Sequence, residues 1–346
     1  MPQKKGYTKT NLKVYKPKSG KSSKKTTPSK AAIAKIAKDA VKSVAEKKFM
    51  DVNNELRQIN PTRPAGNDYI SAVGFSTTIG DDNNGNPILY GGQALQEMMC
   101  LRPFRRDDTS NPTDLRAMAP DGKHITPVSC KSRIRLTRHY GDMPASAATQ
   151  GNDPDFPLGL ARNLPVRCRM IRCTPAIAAG TATELDPDGD LFQDEYGRKT
   201  GVSEASFGPE ELMFYRVNTR RWRVLEDKQF DIRNPLTVNW NLSVNTGGTH
   251  VYSPSITNTN LNCEKYLNIN HQLSQRKGGK CYYSDPMSSD TKNANTGNRR
   301  EYVFFQFCWK GGEYITGTTP EGGITREKGP IDLDIDLVNY TKFVDV

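Results

Sequence analysis

The chain has 346 residues, 35% of them hydrophobic, with a formal net charge of +11 at pH 7 and a mean hydropathy of −0.70. No stretch approaches the roughly 18 to 20 apolar residues of a membrane span, and the N-terminus lacks the apolar core of a signal peptide. We therefore expect a soluble protein that is not secreted and has no stable membrane association. Seven scattered Cys without a CxxC pair are typical of reduced, mostly buried thiols.

Residues 1–30 form a Lys-rich arm that we expect to be disordered. The arm holds ten Lys, no acidic residue and almost no apolar side chain, so no core contact would offset the entropy lost on ordering it. Residues 31–50 add a net charge of +3, which leaves −2 for the rest of the chain. The residues predicted here to bind nucleic acid are Lys4, Lys5, Lys9, Lys13, Lys16, Lys18, Lys21, Lys24, Lys25 and Lys30, followed by Lys35, Lys38 and Lys42.

Residues 31–48 are predicted to form a short amphipathic helix. Ile33, Ile36, Ala40 and Val44 belong to a set of apolar residues that recur every three or four positions, with Lys on the opposite face. Ser29 precedes the segment as a candidate N-cap. The apolar face is mostly Ala and Val, which favours packing against protein over insertion into a membrane.

Residues 49–346 are predicted to form one all-β domain with long loops. Apolar residues alternate strictly with polar ones at 236–244, whereas the run YVFFQFCW at 302–309 is typical of a strand covered on both faces. Further strands are predicted at 69–78, 125–138, 166–174, 213–225, 264–273 and 331–337. About eight antiparallel strands without an internal repeat favour a single jelly-roll sandwich.

Four features resemble the capsid proteins of circular, Rep-encoding single-stranded DNA viruses, the group that holds circoviruses and geminiviruses. They are the basic arm, the phrase EKKFMDV (46–52), the phrase RRWRVLEDKQF (220–230), and a late order of alternating strand, aromatic strand and terminal TKFVDV. The resemblance implies a jelly-roll subunit that self-assembles into an icosahedral shell and packages single-stranded DNA. It also implies localisation in the virion and, during assembly, in the host nucleus.

Two features of the sequence depart from that family. Its arms are usually rich in Arg, whereas this arm has only Lys, with no Arg before Arg57. Lys binds phosphate as a point charge, so we expect tight but sequence-independent contacts, with a log–log salt slope of about −7 for about ten Lys on a single strand. The second departure is the segment 81–113, an insertion that makes the body longer than the compact pattern of circovirus capsid proteins. The alternative for the arm is a solvated tail or a nuclear import signal that binds import receptors, and the import role is compatible with nucleic-acid binding.

Basic residues on predicted strands are further candidates for contact with nucleic acid. Two sets recur at spacing two and so project from one face of their strand: Lys131, Arg133 and Arg135, and then Arg167 and Arg169. We expect them to line the shell interior together with Arg220, Arg221 and Arg223. The alternative is a solvated face paired with carboxylates. Trp222 is expected either to stack on a base or to pack in the core.

The acidic clusters and the histidines predict no metal or catalytic site. The DPDGD segment, with Asp186, Asp188 and Asp190, lacks the Gly and Glu of an EF-hand, so we expect an acidic surface turn or a looser cation site between subunits. Asp332, Asp334 and Asp336 are expected to share one face of their strand, which is either exposed to solvent or packed against basic neighbours. Four scattered His (His124, His139, His250 and His271) match no zinc, triad or P-loop spacing. No cofactor and no enzymatic activity are expected.

Other functions remain open at this point. A cellular nucleic-acid chaperone, with a Lys tail on a β domain, predicts a small oligomer. The capsid protein of an RNA virus is a further alternative, since Lys does not distinguish RNA from DNA. A carbohydrate-active or cupin-like enzyme would need clustered His or carboxylates, which the sequence does not show.

Overall fold

The computed structural model describes the chain in separate stretches. These are residues 29–44, 47–53, 59–78, 87–98, 100, 124–138, 164–176, 185–203, 208–233, 236–244, 250–259, 262–283, 298–311, 315–318, 324–326 and 328–345. The predicted disordered arm therefore lies outside the described residues, apart from its last two positions. The chain divides into two compact units, Met1–Val44 and Ala45–Val346.

Strands are the dominant secondary structure among the described residues of the second unit, so the all-β prediction is confirmed. The helices described there are α2 (Pro187–Asp190) and α3 (Pro209–Phe214). The strands are β1 (Lys47–Asn53), β2 (Ser71–Ser76), β3 (Leu89–Tyr90), β4 (Gln93–Ala94), β5 (Gln96–Glu97), β6 (His124–Arg138), β7 (Val166–Pro175), β8 (Phe192–Gln193), β9 (Lys199–Thr200), β10 (Arg216–Val217), β11 (Trp222–Ile232), β12 (Leu236–Val244), β13 (His250–Thr259), β14 (Glu264–His271), β15 (Cys281–Tyr282), β16 (Tyr302–Trp309), β17 (Ile315–Thr318), β18 (Ile324–Arg326) and β19 (Leu333–Asp345).

Two sheets carry the eight main strands. The first sheet has the order β1-β19-β6-β14, with β15 also paired to β6, and the second has the order β11-β7-β16-β2-β5. All neighbours are antiparallel except β2 and β5. The main strands pair in a nested way along the chain: β1 with β19, β2 with β16, β6 with β14, and β7 with β11.

The main hydrophobic core lies between these two sheets. Ile134 and Leu337 of the first sheet belong to the same buried cluster as Phe75 and Phe305 of the second. The rings of Phe75 and Phe305 meet edge to face, with centroids 6.0 Å apart. Strand β6 supplies its share by strict alternation, because Ile134 and Leu136 are buried while Lys131 and Arg133 are exposed.

The second sheet is covered on both faces. One face contributes to the main core described above. The opposite face packs against the segment that contains α2, α3 and the small sheet β10-β8-β9, with Phe192, Leu212 and Phe304 in a second core cluster. All eight residues of β16 are consequently buried. The prediction of a strand covered on both faces is confirmed.

The N-terminal unit is described as a single helix, α1 (Lys30–Val44). Ser29 caps it, since its Oγ accepts a hydrogen bond of 3.2 Å from the backbone N–H of Ala32. The helix is shorter than predicted. Lys47 and Lys48 belong instead to β1, where they pair with Val344 and Phe343 of β19, because the sheet ladder outweighs the local helix propensity.

Two other strand predictions need correction or addition. The predicted strand 213–225 is wrong as one continuous element: Met213 lies in helix α3, Arg216 and Val217 form the short strand β10, and the long strand β11 begins only at Trp222. The alternating strand 236–244 exists as β12, but it pairs with β13 in a separate hairpin, and its side chains lie outside the described ones. Within the described part of the chain, no helix is both long and apolar enough to cross a membrane.

Candidate nucleic-acid interface

The solvent side of the first sheet carries an uninterrupted basic row on β6. Lys131, Arg133 and Arg135 point outward because the alternate residues Ser132 and Ile134 are buried between the sheets. The predicted common face of these three basic residues is confirmed. Within the described residues, neither Lys131 nor Arg133 forms an ion pair, so both remain available to a ligand phosphate.

Arg135 differs from the other two because Asp336 neutralises it. Its Nε and Nη2 atoms lie 2.7 and 2.6 Å from Asp336 Oδ2, and the two residues face each other across the β6–β19 ladder. The hydrogen bond and the charge of Asp336 raise the pKa of Arg135. The expectation of a basic neighbour for the 332–336 aspartates is confirmed here and at Asp332, whose Oδ2 accepts a 2.8 Å hydrogen bond from Arg138 Nε.

Aromatic side chains from the neighbouring strands interleave with this row. Tyr340 of β19 faces Lys131, and Tyr266 of β14 faces Arg135. At the β1 edge the ring of Phe49 lies 5.7 Å from that of Tyr340. The exposed fractions are 36% for Phe49, 37% for Tyr340 and 58% for Tyr266, which leaves ring surface open on each.

A third cation belongs to the same surface. Lys342 Nζ lies 5.3 Å from the centroid of the Phe49 ring, which it faces across the β1–β19 ladder. We define the basic face by the cations Lys131, Arg133 and Lys342 and the aromatic residues Phe49, Tyr266 and Tyr340. Cations for phosphates interleaved with open rings for bases are the combination found in sites for single-stranded nucleic acid.

The remaining predicted cations belong to other segments of the chain. Lys4 to Lys25 lie outside the described residues; Lys30 and Lys35 are exposed on α1, and Lys38 and Lys42 lie on α1 with undescribed side chains. Arg220 and Arg223 are exposed at the start of β11, which belongs to the second sheet. The structure therefore does not bring these two residues together with the β6 row.

Arg221 and Trp222 are anchored to a buried carboxylate. The indole Nε1 of Trp222 donates a 3.0 Å hydrogen bond to Asp190 Oδ1, and Arg221 Nε lies 3.2 Å from Asp190 Oδ2. The Trp222 ring has no exposed surface and packs edge to face on Tyr302 and Phe304. Of the two interpretations of Trp222, core packing is confirmed and base stacking is wrong.

The DPDGD segment is structural and is not a surface turn. Asp190 is fully buried, and burial raises its pKa although Trp222 and Arg221 oppose the shift. Asp188 accepts backbone hydrogen bonds of 2.6 Å from Gly91 and 3.3 Å from Gly92, whose φ angles of 67° and 74° suit glycine. Among the described residues, no group of three or more His, Cys, Asp or Glu is arranged to hold a metal ion.

The second predicted basic set is paired with carboxylates, as its alternative interpretation expected. Arg169 is 4% exposed, and its Nε and Nη2 lie 2.9 and 2.6 Å from the two carboxylate oxygens of Asp227. Arg167 lies 3.6 Å from Glu210 and 3.8 Å from Asp231. These arginines stabilise the second sheet and its covering segment, so the pairing with carboxylates is confirmed.

A buried polar network that the sequence did not reveal joins the two sheets. Ser132 Oγ lies 2.8 Å from His271 Nε2, and His271 Nδ1 lies 3.0 Å from Glu301 Oε2. The order matches that of a serine hydrolase triad. Ser132 and Glu301 have no exposed surface, and Arg172 Nη2 already contacts Glu301 Oε2 at 2.7 Å. A substrate therefore has no access, and we attribute a stabilising role to the network.

Of the other histidines, His124 alone has a described side chain. His124 Nε2 lies 2.6 Å from Lys280 Nζ near the surface, whereas the side chains of His139 and His250 lie outside the described ones. All seven Cys are described and free, and six of them are buried, as the sequence predicted.

Comparison with known proteins adds no identification. No protein-family model matches the chain, and no curated protein is significantly similar to it.

Proposed function

We propose that the chain is the capsid protein of a virus with a circular single-stranded DNA genome, and that many copies form an icosahedral shell. One observation carries this proposal: the Lys-rich N-terminal segment leads, through α1 and residues 45–46, into β1, the edge strand of the sheet that bears the basic face. The chain therefore connects its largest positive charge to a described surface that combines cations outside any ion pair with open aromatic rings.

The nested strand order supports a single jelly-roll subunit. Pairing of the first main strand with the eighth, the second with the seventh, the third with the sixth and the fourth with the fifth describes one long hairpin. Contacts of β19 with β6 and of β7 with β16 then roll this hairpin into two four-stranded layers. Jelly rolls of two Greek keys occur in viral capsids, lectins and cupins.

In this proposal the first sheet lines the shell interior, and the arm and the basic face share the neutralisation of the genome. A body near neutrality suits the association of identical subunits, because residues 51–346 carry a net charge of only −2. The Lys-rich arm also suits nuclear import receptors, so that assembly takes place in the host nucleus.

Negative-stain microscopy of the purified full chain, combined with nuclease treatment, tests the proposal. We expect uniform icosahedral particles whose contents become sensitive to DNase after disruption. A monodisperse small oligomer would contradict the capsid function and favour a cellular nucleic-acid-binding protein. Particles whose contents are degraded by RNase alone would support the shell but would contradict the DNA genome, and the chain would then be the capsid protein of an RNA virus.

Deletion of residues 1–28 separates packaging from folding. The deletion removes nine of the ten arm Lys and keeps Ser29, the N-cap of α1. We expect the body to unfold at an unchanged denaturant concentration while the co-purifying nucleic acid falls sharply. A variant with the nine Lys replaced by Gln is the matched control for chain length, and it should lose nucleic acid to the same extent.

A further inference from the structure

An open cleft lies at the border of the basic face, where the edge strands of the two sheets leave a gap. Strand β14 is the edge of the first sheet and β11 is the edge of the second. The cleft between them has a volume of about 500 Å³, and its walls come from β7, β11 and β14. This volume lies within the range of sites for small ligands.

The floor of the cleft is apolar and its rim is cationic. Met170, Leu267 and Ile269 are buried side chains of the floor, and Phe230 is half-buried beside them. Lys265 Nζ covers the Phe230 ring at 5.3 Å from its centroid. An exposed Lys side chain with four methylene groups is able to swing away from the ring at little cost.

A second Lys completes the rim opposite the first. Lys228 of β11 is 59% exposed at its side chain and contacts Glu226, which also lines the cleft. An anion that enters the cleft can therefore reach Lys265 from the β14 wall and Lys228 from the β11 wall, where it competes with the carboxylate of Glu226 for Lys228. The exposed amide of Asn268 adds a hydrogen-bonding group on the β14 wall.

The cleft is continuous with the basic face. Tyr266 belongs to both surfaces: it faces Arg135 across the ladder and also lines the cleft. Asn268 likewise faces Arg133 and lines the cleft. A strand that follows the basic face across β6 and β14 therefore reaches the cleft mouth without leaving the protein surface.

We propose that this cleft takes up one nucleotide of a bound single strand. The base lies on the apolar floor against Phe230, and its phosphate lies between Lys228 and Lys265. A base in a duplex would have to unpair and unstack first, so the cleft selects single strands. This inference rests on the proposed function, since it extends the basic face to a specific nucleotide site.

Photo-crosslinking tests the cleft in the full chain. A single-stranded oligonucleotide that carries 4-thiothymidine is bound, irradiated and digested, and the crosslinked peptides are identified by mass spectrometry. We expect adducts on the β11 segment around Phe230 and on the β14 segment around Tyr266. Adducts confined to other segments, with normal binding of the oligonucleotide, would overturn the cleft while leaving the proposed function intact.

Substitutions at the rim and the floor give a second readout. Lys265→Ala should reduce the crosslink yield in the cleft, whereas Lys199→Ala, which removes an equal charge from an exposed residue of β9, should not. Phe230→Leu keeps an apolar floor but removes the ring, and should weaken the binding of a short oligonucleotide at least about fivefold. Equal effects of Lys265→Ala and Lys199→Ala on the yield would overturn the inference. Failure of the wild-type chain to bind any oligonucleotide would instead overturn the proposed function.

Discussion

His271 and Glu301 join the two main sheets through a contact of 3.0 Å between Nδ1 and Oε2 in the protein interior. His271 ends β14 of the first sheet, and Glu301 directly precedes β16 of the second. Glu301 Oε1 also accepts a 3.1 Å hydrogen bond from the backbone N–H of Gln272. One carboxylate therefore ties the end of an edge strand to the opposite layer.

This pair makes the stability of the body sensitive to acid. Burial lowers the pKa of His271 below its usual value of 6.5, and Glu301 opposes only part of the shift. Burial alone would raise the pKa of Glu301, but His271 and Arg172 hold it below its usual value of 4.5. Because the unfolded chain takes up these protons first, the free energy of unfolding should fall as the pH drops through 6.5 and again through 4.5.

Urea unfolding between about pH 8 and pH 5 measures this effect. In His271→Gln the residue at position 271 no longer titrates, so the decrease in the free energy of unfolding across this range should be smaller than in the wild type. An identical decrease in both proteins would show that other groups cause the acid sensitivity.

Removal of the buried carboxylate should cost far more than removal of an exposed one. Glu301→Ala leaves Arg172 and His271 without their shared partner in the interior, and we expect a loss of about 3 to 5 kcal/mol in the free energy of unfolding. Glu195→Ala, at an exposed position, should change it by less than about 0.5 kcal/mol. Similar small losses for both variants in denaturant titrations would contradict a buried, fully bonded Glu301.

Trp222→Phe separates core packing from base stacking. The substitution keeps an aromatic ring but removes the indole N–H that bonds to Asp190, so we expect a loss of about 1.5 to 3 kcal/mol in stability. Binding of a single-stranded oligonucleotide, measured by fluorescence anisotropy at a temperature where the variant is folded, should not change. Weaker binding by the folded variant would instead indicate that Trp222 contacts the nucleic acid.

Neutralisation of the basic face should change the salt dependence of binding. With Lys131, Arg133 and Lys342 replaced by Ala, the slope of log affinity against log salt should become shallower by about 2, at about 0.7 for each lost contact on a single strand. Arg198→Ala with Lys199→Ala is the control, since it removes exposed charges near the β8–β9 turn. Equal slopes for the wild type and the triple variant would place the bound strand elsewhere.

Tyr340 should contribute by stacking, independently of salt. Tyr340→Ala removes an open ring beside Lys131, and we expect about 1 to 3 kcal/mol weaker binding of a single strand at every salt concentration. Tyr196→Ala removes a ring that is 74% exposed on the β8–β9 turn, and it is the matched control. Equal affinities for the two variants would contradict stacking on Tyr340.

Local patterns in the sequence predict individual strands well. Alternation is visible along β6 and β12, and the aromatic run of β16 predicts a strand covered on both faces, because these signals arise from neighbours two residues apart. The outward row of Lys131, Arg133 and Arg135 follows from the same rule. The short strands β3, β4, β8 and β9 carry too few residues to show any period.

Long-range partners are not encoded in such patterns. Tyr340 meets Lys131, and Glu301 meets His271, only because β19, β14 and β16 return to strands that lie far away in the chain. The local sequence predicts a polar turn at Asp190, because its buried partner Trp222 lies 32 residues later. The sequence around Asp190 and Glu301 does not indicate that these carboxylates become buried. The sequence around Lys131 and Arg133 likewise does not indicate that these cations remain outside any ion pair.

A cryo-electron microscopy reconstruction of the assembled full-length protein tests the central claim most directly. The proposal predicts a closed shell in which the solvent side of the β1-β19-β6-β14 sheet faces the interior, with nucleic-acid density against Lys131 and Tyr340. A shell that turns this sheet outward, or a preparation that contains only discrete small oligomers, would contradict it.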